Sequence, residues 1–235
     1  MESLKYKEYE GIPLVYRPGT SDENILQEVL ERKCYRRPSF GFDVEAGETW
    51  LDLGANIGAF AVYCKTVGAT AICYEPDPDC FAILRRNAVD FRCINRAVSC
   101  KKDSRVSFFQ SSASGKYARG SLLEYRGSKQ HRTVENLWAG ELKKQFYFVQ
   151  GIKMDIEGSE FGILDEDLLP KCEKLVLEYH TSRDPSVDNL RRRLEKLHRR
   201  FREVRYPPEY DRLLREGNSA KTYFDRLIFC KGAQR

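Results

Sequence analysis

Hydrophobic and polar positions in this chain fall into two alternating rhythms from residue 49 onward. Residues 50–53 read as a buried strand and are followed by a loop at 54–58. A helix then runs to about residue 67, where Gly68 stops it, and residues 70–74 form a second strand. Asp77 or Asp79 caps a helix through about residue 89, and residues 93–98 form a third strand. Strand–helix–strand alternation of this kind predicts a parallel sheet with crossover helices. Further strands are predicted at 105–110, 146–154 and 174–180, with weak helical character at 134–144 and a short helix at 159–169 ended by Pro170. Residues 111–131, rich in Ser, Gly and Arg, read as a long surface loop or a loose hairpin. Val187, Leu190, Leu194, Leu197, Phe201 and Val204 recur at helical spacing, and runs at 202–206 and 223–230 read as strands that close the sheet. Upstream, a short strand at 12–16, a Pro18-Gly19 turn, a helix at 21–33 and a loop at 35–48 make an N-terminal extension, 1–48, to one α/β domain, 49–235.

Composition narrows the class. The 235 residues are 41% hydrophobic and 32% charged, which excludes collagen, coiled coil or disorder for the chain as a whole. The longest mainly apolar run, 57–64, is far short of the ~18 residues a membrane-spanning helix needs. The opening MESLKYKEYE is too charged for the apolar core of a signal peptide. Eight cysteines without a C-x-x-C pair argue against a zinc site and for a reducing, cytoplasmic setting. The net charge of +5 allows an anionic partner without demanding one. The basic face of the 187–204 helix, with Arg191, Arg192, Arg193, Lys196, Arg199 and Arg200, is diluted by Asp188, Glu195 and Glu203 and reads as a solvated face, so nucleic acid is not the expected partner.

Chemistry concentrates in two places. The first is Asp52-Leu53-Gly54-Ala55-Asn56-Ile57-Gly58, at a strand-to-helix junction where open α/β sheets bind ligands. A dinucleotide loop would need G-x-G-x-x-G, but Asn56 replaces the glycine that makes room for a pyrophosphate. Asp52 would repel a diphosphate and suits a cationic group, such as the ammonium of S-adenosylmethionine. Glu75, followed by Pro76, ends the second strand, where a carboxylate can accept hydrogen bonds from both hydroxyls of a ribose. Asn95, Arg96 and Ala97, at the end of the third strand, lie where an adenine would be read.

The second place is the acidic cluster after residue 154. Asp155 and Glu157 end one strand, and Glu178 and His180 end the next. Methyl transfer to oxygen needs in-line approach of the hydroxyl and removal of its proton, which a carboxylate or imidazole can supply. Alternatively Asp155, Glu157 and Glu178 have the hard oxygen chemistry to hold Mg²⁺ or another divalent cation. Lys153 can orient a carboxylate or the substrate, or pair structurally.

On these residues the sequence resembles the FkbM family of S-adenosylmethionine-dependent methyltransferases. The match rests on LDLGANIGAF at 51–60, IKMDIEGSE at 152–160, YEPDP at 74–78 and NRAVS at 95–99, and covers roughly 22–180. The resemblance implies a Rossmann-like class I methyltransferase fold, a mainly parallel seven-stranded sheet flanked by helices. It also implies O-methylation, commonly of sugar or polyketide hydroxyls. Carried across, Gly54, Asn56 and Gly58 would line the methionine part of the cofactor, Glu75 would hold the ribose, and Asp155 would lie at the reaction centre. The expected function is O-methylation of a sugar hydroxyl in a glycan or glycosylated small molecule. An RNA-directed methyltransferase and a non-catalytic cofactor-binding module are the competing readings.

Overall fold

The computed structural model describes residues 4–111, 120–124, 128–216 and 225–234. The chain opens with a hairpin, β1 (Lys5–Tyr9) and β2 (Ile12–Tyr16), then α1 (Ser21–Leu26), which continues in a wider helical turn at Gln27–Glu31. The core follows as β3 (Thr49–Leu53), α2 (Ala59–Thr66), β4 (Thr70–Tyr74), α3 (Pro78–Asn87) and β5 (Arg92–Ile94). After it come β6 (Ala97–Ser99), β7 (Arg105–Ser111), β8 (Gly120–Ser121), β9 (Ser128–Trp138) and α4 (Ala139–Gln145). The chain ends with β10 (Phe148–Met154), α5 (Glu160–Asp165), β11 (Lys171–His180), α6 (Val187–Arg200), β12 (Phe201–Arg205), α7 (Pro208–Glu216) and β13 (Asp225–Ala233).

Seven strands form the main sheet in the order β12-β13-β11-β10-β3-β4-β5. Neighbours from β11 to β5 pair in parallel, as crossover helices require, whereas β13 runs antiparallel to both β11 and β12. The sheet is therefore mixed rather than wholly parallel. Strand alternation sends Trp50, Ala71, Cys73, Val176 and Phe229 to one face, against α1, α2 and α3. Leu51, Leu53, Ile152, Met154, Leu175 and Leu177 point to the other, against α4, α5, α6 and α7. The N-terminal extension shares the first of these cores: Leu14, Leu26 and Phe42 are buried with Trp50 and Phe60. Asn87 on α3 clamps the backbone of Val15, accepting from its N–H at 2.7 Å and donating to its carbonyl at 3.0 Å. The fully buried Asp22 takes two hydrogen bonds from the Arg17 side chain. Among the described residues, no helix is long and apolar enough to cross a membrane.

Several elements differ from the sequence expectation, each for a local reason. The predicted third strand, 93–98, is two strands. Asn95 breaks it by donating to the carbonyls of Glu75 and Pro76, so that Ala97–Ser99 joins a second, four-stranded sheet, β6-β9-β7-β8. The weak helix predicted at 134–144 is extended up to Trp138: Val134 and Asn136 are buried and Glu135 is exposed, a period of two that short windows confuse with a helix. The helix expected through Val204 ends at Arg200, and Phe201 and Val204 are core positions of β12. The β1 strand and helix α7 have no counterpart in the sequence reading. Of the loop at 111–131, residues 112–119 and 125–127 lie outside the described residues, as do 223 and 224 of the last predicted strand.

Candidate active site

The carboxyl ends of β3, β4, β10 and β11 open onto one cleft. Its lining includes Gly54, Asn56, Glu75, Pro76, Arg96, Ala97, Asp155, Glu157 and Glu178. The loop after β3 is held by close approach. Gly54 has φ +80°, and a Cβ there would sit 1.9 Å from the carbonyl oxygen of Asp155, so any side chain would push apart the two loops that carry the site. Asn56 also takes a left-handed conformation, φ +50°, which turns its backbone N–H onto Glu75 Oε2 at 2.7 Å.

Glu75 is the fixed point of this end. Its second oxygen accepts from the Asp77 N–H at 2.8 Å, and only 6% of the residue is exposed. Burial pushes its carboxyl up to about 7, against the pull of those two amides. Each oxygen keeps a lone pair for a hydroxyl group in the cleft. The second sheet roofs the cleft from end to end: Gln110 bonds Asp77 and Arg132 lies 3.3 Å from Asp79 near Glu75, and Ser121 Oγ donates to the Glu157 carbonyl at 2.6 Å at the far end.

At the other end, the parallel register of Met154 against Leu177 sets Asp155 beside Glu178. His180 is buried, and its Nδ1 lies 2.8 Å from the fully buried Glu160, which also accepts the Gly158 N–H at 2.7 Å. The other ring nitrogen faces Glu157 at 3.5 Å and Asp155 at 3.8 Å. Burial works against charge on His180, but Glu160, Glu157 and Asp155 together raise it to about 10, so the ring is an imidazolium at neutral pH. Arg183 completes the cluster, 3.3 Å from Glu157.

Several expected site residues stand elsewhere. Asp52 does not face a ligand ammonium: it is fully buried, 3.1 Å from Lys153 Nζ. Burial raises its carboxyl, and Lys153 opposes the rise. Lys153 is itself buried, donates to the Gly54 carbonyl at 2.6 Å, and with Ala55 lines an adjoining cavity that shares Gly54, Asn56, Asp155 and Glu178 with the cleft. Burial would lower its ammonium, but Asp52 and Asp155 hold it above the ordinary value. Gly58, with φ +89°, lets α2 start against Leu84 of α3 and is not part of the cleft lining, nor is Ala55, which is buried beside the loop. Asn95 buttresses the Glu75–Pro76 turn from behind, whereas Arg96 stays in the cleft lining and also pairs with Glu135 at 3.0 Å.

For a metal, the nearest donor set is Asp155, Glu178 and His180, whose ligand atoms lie within 4.8 Å of one another, and not Asp155, Glu157 and Glu178. This set fits Mg²⁺ poorly. One donor is nitrogen rather than oxygen, a mixed set that suits a transition-metal ion better than Mg²⁺. Two contributors had no signal in the sequence reading. Glu160 sits in the second motif, but its pairing with His180 depends on the β10–β11 alignment. Tyr35, from the N-terminal extension, donates to Asp155 Oδ2 at 3.3 Å across 120 residues of chain.

An open α/β sheet with a buried carboxylate and a charged cluster at adjoining strand ends has the architecture of proteins that bind ligands at the carboxyl ends of their strands. The model of the methyltransferase FkbM domain matches residues 52–203, and the chain belongs to that methyltransferase family. A stretch of 78 residues is 36% identical to the 31-O-demethyl-FK506 methyltransferase FkbM of Streptomyces tacrolimicus, covering 32% of this chain and 29% of that relative. Among solved structures, a putative transferase of Pyrococcus horikoshii is similar at 12% identity and TM-score 0.48, over 100% of this chain and 74% of that one. A SAM-dependent methyltransferase of Archaeoglobus fulgidus is similar at 13% identity and TM-score 0.45, over 90% and 94%.

Proposed function

We propose that the chain is an S-adenosylmethionine-dependent O-methyltransferase of class I architecture, acting on a sugar hydroxyl of a glycan or a glycosylated small molecule. The observation that carries the proposal is one cleft lined at one end by the carboxylate of Glu75, suited to accept a diol, and at the other by that of Asp155, suited to accept a proton. The relative's name, a 31-O-demethyl-FK506 methyltransferase, supports oxygen as the accepting atom. Glu157, Glu178, Ser121 and Ser159 give the lining the several hydrogen-bonding groups that a polyhydroxyl acceptor needs.

When bound, S-adenosylmethionine supplies an electrophilic methyl group on a sulfonium. Glu75 would accept the ribose hydroxyls, and the backbone turn at Gly54–Asn56 would hold the methionine part. Asp155 and Glu178 would orient the acceptor hydroxyl, and Asp155 would be the group that takes up its proton. His180 already carries a proton, so it is not the base; it balances the charge of the carboxylates around it. No step requires a metal.

The RNA-directed alternative draws no support from α6. Arg193 is buried between Asp165 and Asp184, Arg192 meets Asp165, Arg191 meets Asp188 and Arg200 meets Asp167. The test is incubation with labelled cofactor and a panel of deoxy sugars, glycans and RNA, with and without EDTA. Label in a sugar, unaffected by EDTA, is the expected result; label in RNA alone overturns the sugar assignment.

A further inference from the structure

The N-terminal extension reaches the reaction centre through one side chain. Tyr35 lies outside the segment that the family model matches, 52–203, so family membership assigns it nothing. Its ring is 7% exposed and stands edge-on to Phe60, with centroids 5.6 Å apart and planes at 87°. Phe60 belongs to α2, directly after the Gly54–Gly58 loop, so the ring is anchored to the same element that shapes the cleft. The Lys153 ammonium sits 5.5 Å from the ring centre. A buried phenol needs a hydrogen-bond acceptor, and the one reached here is Asp155 Oδ2 at 3.3 Å. The contact engages one carboxylate oxygen; the other, Oδ1, is the one turned to His180 at 3.8 Å.

We propose that Tyr35 is a positioning residue for methyl transfer: its phenol holds Asp155 Oδ2 and thereby fixes which carboxylate oxygen faces the acceptor hydroxyl. The proposal rests on Asp155 being the proton acceptor, as argued above. The two ends of this bond come from parts of the chain that share no secondary-structure element, so the N-terminal segment completes the site rather than merely covering it. Burial and the neighbouring Asp155 push the phenol well above its usual value, which keeps it a neutral donor throughout the working range. A tight O–H···O⁻ bond is about 2.5–2.7 Å. At 3.3 Å the contact is longer than that, so the phenol orients the carboxylate without a tight bond.

Tyr35→Phe keeps the ring on Phe60 and removes only the donor. With the acceptor found in the sugar panel, kcat should fall on the order of tenfold, while cofactor Kd and acceptor KM stay within about twofold. In an Asp155→Asn background, measured in single turnover, the same change should cost little more, because the two residues act as one unit. Unchanged kcat, a loss carried by KM or Kd, or full additivity with Asp155→Asn would each overturn the proposal. A second measurement needs no acceptor. In protein labelled with 3-fluorotyrosine, the ¹⁹F signal lost in Tyr35→Phe should shift in Asp155→Asn, and a signal that stays in place overturns the contact itself. A shifted signal together with no methyl transfer to any acceptor would instead count against the proposed function.

Discussion

Both ends of the cleft are built from carboxylates, yet they are stabilised by opposite means. Glu75 is held by backbone amides of Asn56 and Asp77, and burial leaves it close to half-protonated at neutral pH. Asp155, Glu157 and Glu160 instead share counter-charges, the His180 imidazolium and the Arg183 guanidinium. A carboxylate held by fixed dipoles is suited to accepting hydrogen bonds from a neutral diol. In the proposed reaction, cofactor binding and proton acceptance are therefore separated along one cleft, which gives substitutions at the two ends distinct signatures.

The largest effect is expected at the charged end. Asp155→Asn should lower kcat by roughly 10²- to 10⁴-fold with cofactor Kd changed by no more than a few-fold, read by steady-state kinetics and calorimetry. Equal losses in kcat and cofactor affinity would erase the division of labour. At the other end, pH is the probe. Cofactor affinity should rise with pH through about 7 as Glu75 ionises and then level off, and in Glu75→Gln this step should vanish. A step that survives the substitution belongs to another group.

Stability offers a gentler contrast. Folding raises His180 from 6.5 to about 10, so its contribution is complete below pH 6.5 and is lost as pH climbs through about 10. Urea titrations should show stability declining across that window, with a shallower decline in His180→Asn. Glu75 also binds its proton more tightly when folded, so in the free protein it adds a separate decline between 4.5 and about 7. The smallest effect is expected far from the cleft. Arg199→Ala, on the exposed face of α6, should change stability by less than about 0.5 kcal/mol and leave methyl transfer unaltered.

How much of this was legible before folding differs between the two ends. The Glu75 end is local. A strand, a glycine turn and a strand-terminal carboxylate follow one another within 25 residues, and periodicity with turn chemistry places them. Even there, Asp52 was misplaced, because its pairing with Lys153 is set by the β3–β10 register and not by sequence distance. The charged end is non-local. Asp155, Glu157 and His180 were visible as strand-end residues, but the protonation of His180 depends on Glu160 reaching it from α5. Tyr35 carried no signal at all: a lone aromatic in a loop becomes part of the site only after the N-terminal segment docks on α2 and α3. The β5–β6 break was similarly hidden in Asn95, whose amide completes a turn formed by the preceding strand.

The account turns on whether a nucleoside cofactor rests its diol on Glu75, and calorimetry with S-adenosylmethionine and S-adenosylhomocysteine tests this most directly. Wild-type protein should bind both, and Glu75→Ala, still folded by circular dichroism, should bind each at least about tenfold more weakly, the cost of losing hydrogen bonds to a charged acceptor. Absence of heat with either ligand, or equal affinity in the variant, would contradict the assignment of the cleft.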